Sequence, residues 1–295
     1  MTTFIFGEAM LEYHSAGGTG LRYGGDTLNT AIHLARAGYE VAYVTALGTD
    51  PISDAMIADW AARGIDTRFV LRHPDRTPGI YAIHLDDKGE RSFLYWRDRS
   101  AARAMFALAA MDDALAAAER SSLVYFSLIT LAVIDREGVR RLLEMAARRR
   151  DQGLAVAYDS NFRPALWHSL SAAREVSMRA MKTCSIGLPT NTDERELWDT
   201  AEDETAIARR WADRNRIVAV KAGDAGCLLM EDREGTAEWL PAQPAKVVDT
   251  SGAGDAFNAG FLGAYLSGND PKASAEAGQA LARSTIGHLG AVPSA

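Results

Sequence analysis

Residues 247–261 read VVDTSGAGDAFNAGF. A β-branched run ends at Asp249 and Thr250. Ser251, Gly252 and Ala253 follow, and Gly254-Asp255 open an Ala-, Phe- and Leu-rich segment that can run as a helix to about residue 265. Small residues between a strand and a helix let the backbone come close to a ligand and turn unpaired N–H groups toward it. At a helix N-terminus such donors favour an anion, most often a phosphate. Asp255 is at odds with an anion unless it takes a proton from something. Donors for a phosphoryl group beside an acid–base carboxylate suit phosphoryl transfer to a hydroxyl. The same letters also fit a capped helix after a glycine turn. A dinucleotide fingerprint is excluded because Phe257 stands where its third glycine belongs, and no P-loop pattern occurs.

The rest of the chain supplies the scaffold. Its 295 residues, 47% hydrophobic, suffice for one large α/β domain with a small appendage. A net charge of −7 without a basic stripe argues against a nucleic-acid partner, and an acidic protein with anionic ligands must concentrate its Arg and Lys locally. No uncharged apolar run approaches membrane-spanning length, so no membrane partner is expected. The start, MTTFIFGEAM, lacks the basic region and long apolar core of a signal peptide. Cys184 and Cys227 form no close-spaced metal motif and no disulfide framework, and are read as free thiols of a reducing cytoplasm.

Strand-like runs at 3–6, 41–47, 122–128, 154–158, 184–188 and 216–221 alternate with helical patterns, among them 52–63, an Ala-rich helix over about 102–118, an amphipathic helix over 135–150 with a basic end, and a final helix over about 271–289. Between two such units the texture changes. Runs at 67–71, 79–85 and 91–96, with a hairpin turn at 86–89, predict a small β-sheet that must cover something or pair with a second copy. Tyr95 and Arg97 alternate onto one face there, where Arg97 can pair with a carboxylate or simply solubilise an edge. Arg163 follows a strand end, where open α/β sheets bind ligands, and is a second holder for a carboxylate or phosphate, or a surface arginine before a proline. The glycine-rich stretch 15–25 leads into GGDTLNTA at 24–31, which is either a hinge before a capped helix or a ligand-binding turn in which Asp26 and Asn29 bond hydroxyls.

The segment 249–255, DTSGAGD, resembles the C-terminal signature of the ribokinase-like (PfkB) carbohydrate kinases, and 24–31 resembles that family's Gly-Gly-x-x-x-Asn-x-Ala segment. The resemblance runs from Gly7-Glu8 to Gly290-Ala291. It implies a three-layer α/β/α domain, residues 1–295, with a central, mostly parallel sheet and a small β-sheet lid formed by about 10–23 and 66–98. In the family the last Asp of the signature, here Asp255, deprotonates the sugar hydroxyl, and the amides of Gly252, Ala253 and Gly254 form the anion hole. The family's Lys/Thr-x-Gly-x-x-Gly, here Lys221, Gly223 and Gly226, implies nucleotide contacts shared with Gly252 and Gly254, although these glycines equally suit a hairpin. Its Asn-x-x-Glu, linked to magnesium and phosphate, falls on Asn191 and Glu194, which also read as a helix start with an acidic first turn. Here Pro189-Thr190-Asn191 departs from the Pro-Asn of many relatives.

Within the family, GEAMLE at 7–12, GGDTLN at 24–29, YVTALGTD at 43–50, YWR at 95–97 and NFRPALW at 161–167 resemble the 2-keto-3-deoxygluconate (KDG) kinases. The chemistry agrees, because a sugar acid needs a cation that a neutral sugar does not. The resemblance implies substrate contacts at Gly25, Asn29, Tyr81, Tyr95, Arg97, Arg163 and Asp255, with ATP and Mg2+, and a homo-oligomer through the lid. An Asp at a helix N-terminus is expected to have a low pKa, tolerable because a loose phosphoryl-transfer transition state needs little early deprotonation. A neutral-sugar kinase such as fructokinase or ribokinase, and a non-catalytic sugar-binding sensor on the same scaffold, are the alternatives.

Overall fold

A computed structural model describes residues 2–14, 22–85, 91–213, 216–231 and 235–293. The apolar runs become buried strands. In β1 (Thr2–Phe6), Phe4 and Phe6 enter one core and Ile5 another. A strand buried on both faces belongs inside a sheet covered twice, which is the reason for its unbroken apolar character.

The strands and helices follow in order. β2 (Met10–His14), β3 (Tyr23–Gly24), α1 (Asp26–Arg36), β4 (Glu40–Leu47), α2 (Pro51–Ala62), β5 (Ile65–Asp66), β6 (Val70–Arg72), β7 (Gly79–Leu85) and β8 (Arg91–Trp96) form the first part. α3 (Met111–Glu119), β9 (Leu123–Ser127), α4 (Leu128–Val133), α5 (Arg136–Asp151), β10 (Ala155–Asp159), α6 (Leu170–Met181), β11 (Ile186–Gly187), α7 (Asn191–Trp198) and α8 (Glu204–Trp211) come next. β12 (Ile217–Lys221), β13 (Gly226–Glu231), β14 (Glu238–Pro241), α9 (Ala253–Leu266) and α10 (Pro271–Thr285) complete the chain.

The main sheet has ten strands in the order β14-β13-β12-β11-β10-β9-β1-β4-β5, with β6 also on β4. All its pairs are parallel except β12–β13 and β13–β14. Residues of α3 to α8 join one core face, and those of α1, α2, α9 and α10 the other. The layers are therefore helix, sheet, helix. A separate four-stranded sheet, β3-β2-β7-β8, mixes antiparallel pairs with a parallel β2–β7 pair.

Several sequence expectations change. The run at 67–71 does not enter the small sheet, because β6 pairs in parallel with Thr45–Leu47 of the main one. Residues 247–250 form no strand: Val247 and Val248 are exposed, and the N–H groups of Val248 and Asp249 both go to Ile286 O beyond α10. The helix expected over 102–118 breaks into a 3-10 turn (Ala102–Ala107) and α3, since Leu108 between them is extended. Helices α4, α6 and α8 were not anticipated, although Ser169 and Asp203 cap the last two by accepting from Ala172 N and Ala206 N. The final helix stops at Thr285. The expected hairpin turn at 86–89 lies outside the described residues. The basic end of α5 does more than oppose a dipole. Arg149 is fully buried and donates to the carbonyls of Ala118, Glu119, Ser121 and Ala155, closing the end of α3.

Candidate active site

β1 lies between β9 and β4, so the chain order of the strands reverses beside it, and a cleft of about 1300 Å³ opens at the strands' C-terminal ends. Crevices of this kind are where open α/β sheets take ligands. The small sheet forms one wall, with Tyr81 and Tyr95 paired across β7 and β8 and both facing the cleft.

The start of α9 forms the floor. Gly252 has φ 71°, and a β-carbon there would lie 2.4 Å from that of Ala291, so only glycine makes this turn. No side chain caps the helix. The Ala253 N–H goes to Thr250 O at 3.3 Å, whereas those of Gly252 and Gly254 have no such bond among the described residues. Gly252 and Gly254 therefore present open donors, and Ala253 is already engaged in the turn.

Asp255 is 9% exposed and accepts from Asn29 Nδ2 at 2.8 Å. α1 brings Asn29 there, and Thr30 Oγ1 holds the Asp255 carbonyl at 3.2 Å. Gly25 opens α1 where a β-carbon would meet Glu8 O at 2.3 Å. Asp26 also faces the cleft and accepts from Asn161 Nδ2 at 3.0 Å. The low pKa expected for Asp255 is overturned. Burial, then the charge of Asp26, pushes its carboxyl up to about 8, and the Asn29 bond only partly offsets them. Desolvation outweighs the helix end. Burial likewise raises Asp26.

The two arginines differ. Arg97 is 7% exposed, and its Nη2 donates to Glu8, which also accepts from Ser100 Oγ. Its Nε has no hydrogen-bond partner among the described residues, and its guanidinium lies 5.9 Å from the Tyr95 ring centroid. Arg163 is half exposed and contacts Asp193 Oδ1 at 3.4 Å. Both line the cleft, but the counter-charge of Arg97 is close and buried, whereas that of Arg163 is longer and leaves its guanidinium half exposed. Tyr81 donates to Glu12 on β2.

Lys221 reaches the cleft from the end of β12. Gly223 and Gly226 do not line it. They turn β12 into β13, and a β-carbon on Gly226 would strike Leu240 O at 2.2 Å. Asn191 and Glu194 do not line it either. Asn191 Nδ2 bonds Glu204 at 2.7 Å, and the buried Glu194 takes Arg210 at 2.8 Å and Trp198 Nε1 at 3.1 Å. The neighbours Thr190, Thr192 and Asp193 face the cleft instead. Burial pushes the Asp193 carboxyl up to about 6, with Arg163 opposing. Counting the acidic position from Pro189, with Thr190 in place of Asn, lands on Asp193, and that signal was in the sequence. Among the described residues no group of three or more His, Cys, Asp or Glu gathers as a metal site. Asp159 and Asn161, polar residues at and just past a strand end, line the cleft and Asn258 stands under it; their roles were not legible, because the partners that place them are remote in sequence.

The profile of the pfkB family of carbohydrate kinases matches residues 9–295. The chain belongs to this family. This kinase is 36% identical over 296 residues to a 2-dehydro-3-deoxygluconokinase of Haemophilus influenzae, covering 98% of this chain and 94% of the relative. It is also 36% identical to the 2-dehydro-3-deoxygluconokinase of Escherichia coli K12, over 98% and 96% of the two chains. That name is a synonym of KDG kinase. A putative ribokinase II of E. coli, solved with ATP and Mg2+, superposes with a TM-score of 0.83 at 19% identity, covering 98% of this chain and 94% of that one. Its likeness carries the fold. No helix of this kinase, among the described residues, is long and apolar enough to cross a membrane.

Proposed function

We propose that this chain transfers the γ-phosphoryl group of ATP, in the presence of magnesium, to the 6-hydroxyl of KDG, giving 2-keto-3-deoxy-6-phosphogluconate. The observation that carries the reading is Asp255 buried beside the uncapped start of α9, in a cleft that also holds Arg163 and Arg97. Relatives of the same family named for this reaction support the choice of acceptor.

Asp255 takes the hydroxyl proton. A carboxylate whose basicity is raised by burial is better matched to this task near neutral pH than an ordinary one. The Gly252 and Gly254 amides meet charge on the transferred group. Arg163 meets the sugar carboxylate, while Arg97, pinned by Glu8, turns its remaining N–H groups to the same end. Asn29 and the Gly25 turn orient the sugar. Tyr81, Tyr95 and the small sheet exclude water, which would compete as acceptor. Magnesium supplies neutralisation of the phosphate oxygens. Because it keeps several waters and needs few direct carboxylates, the cleft-facing Asp193 would fit it better than Glu194, which Arg210 already pairs.

ADP release against KDG, its galactonate epimer, gluconate, fructose and ribose tests the assignment. Turnover is expected with keto-deoxy acids, and Arg163→Ala should raise their KM about tenfold, the scale of one charge-assisted contact. Turnover confined to fructose or ribose, insensitive to Arg163→Ala, would place the chain among the neutral-sugar kinases, a reading favoured by Glu8 neutralising Arg97. Saturable sugar binding without ADP release would mark a sensor.

The small sheet also supports a homo-oligomer. Its outer face carries Tyr13, Ile80, Leu94 and Trp96, each at least 40% exposed, and a second copy is the occupant proposed. Sedimentation at increasing concentration should show a dimer or larger species, and a monomer throughout would refute it. Buried free Cys184 and Cys227 support a cytoplasmic setting.

A further inference from the structure

Lys221 is 6% exposed, and its Nζ lies 3.0 Å from Asp159 Oδ2 and 3.0 Å from Asn258 Oδ1. Asn258 turns its amide nitrogen to Asp159 Oδ2 at 2.7 Å and to Tyr125 OH at 3.0 Å. Lysine, aspartate and asparagine thus close a triangle beneath the cleft, drawn from the ends of β12 and β10 and from α9. Asn258 follows Asp255 by one helical turn, so both stand on one side of α9.

An ammonium has three N–H donors. Two are engaged here, and the third has no partner among the described residues. A β-carbon on Gly254 would sit 3.7 Å from Nζ, with nothing else outside its own helix within 4 Å. The lysine therefore lies directly under the first turn of α9, beside its open amides, and it lines the cleft.

We propose that Lys221 gives this third N–H to the γ-phosphoryl group as it moves, and that Asp159 and Asn258 are positioning residues that hold the ammonium there; the proposal rests on the kinase reading above. A lysine on its flexible stem would have to be ordered at each turnover, whereas one fixed by two bonds is ready where charge develops. The phosphoryl group leaves an ADP oxygen for the sugar oxygen, the hydroxyl proton passes to Asp255, and Lys221 keeps its own proton throughout. Asp159 supplies the counter-charge that a buried ammonium requires.

The test is calorimetric titration, with magnesium and without sugar, of ADP and of the β,γ-imido analogue of ATP. Lys221→Met should weaken the analogue about tenfold more than ADP, the order of a charge-assisted hydrogen bond. Asp159→Asn and Asn258→Ala should do the same in the wild-type background and add nothing to Lys221→Met. Asp159→Asn/Lys221→Met removes both buried charges together, so it remains measurable if a single variant does not fold. In turnover these changes should lower kcat and leave KM for the sugar unmoved. Equal weakening of both nucleotides, no weakening, or independent losses that multiply in the double variant would overturn the proposal and leave the triangle as structural glue. The nucleotide titration is read without an acceptor, so its result stands apart from failure of the KDG assignment.

Discussion

Asp255 and Glu194 begin from the same local circumstances. Each is an acid in the first turn of a helix, and each is buried, at 9% and 0% exposure. Their partners divide them. Glu194 is given Arg210 and Trp198, and so becomes an internal brace between α7 and α8. Asp255 is given a neutral amide from Asn29 and the charge of a second carboxylate, Asp26, and so keeps a raised pKa beside open donors. Helix position did not assign these roles; the charge of what packs against each acid did.

The largest expected effect breaks the pair at its reactive member. Asp255→Asn should lower kcat by two or more orders of magnitude with nucleotide affinity retained, the scale of a lost general base. Near-normal turnover in single-turnover and steady-state assays would remove Asp255 from the chemistry. The same variant should be more stable than the wild type. An unfolded Asp titrates near 3.8, whereas the folded carboxyl titrates at about 8. The folded state therefore holds a proton that the unfolded chain has released, and wild-type stability falls as pH rises through that window. The Tm advantage of Asp255→Asn should grow from acid to pH 8, and a constant difference would contradict it.

Arg210→Ala attacks the other member. It strands Glu194, whose Oε1 already lacks a partner among the described residues, and should cost about 3 kcal/mol in denaturant unfolding. Turnover and magnesium requirement should be unchanged in the folded fraction. A raised magnesium requirement would return Glu194 to the metal. The smaller effect belongs to Asp193→Asn, expected to raise the magnesium concentration for half-maximal activity several-fold, since one water-mediated carboxylate is lost.

This contrast also separates what was legible in the sequence from what was not. The parallel sheet could be read because strands buried on both faces, such as residues 155–158, are apolar without alternation. The start of α9 could be read because Gly252 is demanded by Ala291 at close range and leaves a glycine in the letters. Partner choice could not. Glu8 meets Arg97 and Asp159 meets Asn258 only after the fold brings distant strands and helices together. The pKa of Asp255 followed the same rule, since Asp26 enters from α1. Asn191 and Glu194 stand off the cleft for a nearer reason: the helix turns Asp193, one residue earlier than Glu194, toward it.

The central claim is that Asp255 is a base made strong by burial beside Asp26, and the pH dependence of kcat/KM tests it most directly. That quantity reports the ionisation of the free enzyme. Because the deprotonated form is active, kcat/KM for KDG should rise with pH to a plateau through a midpoint near 8, and Asp26→Asn should move the midpoint down. A midpoint in the ordinary carboxylate range, or one that Asp26→Asn leaves in place, would contradict the account.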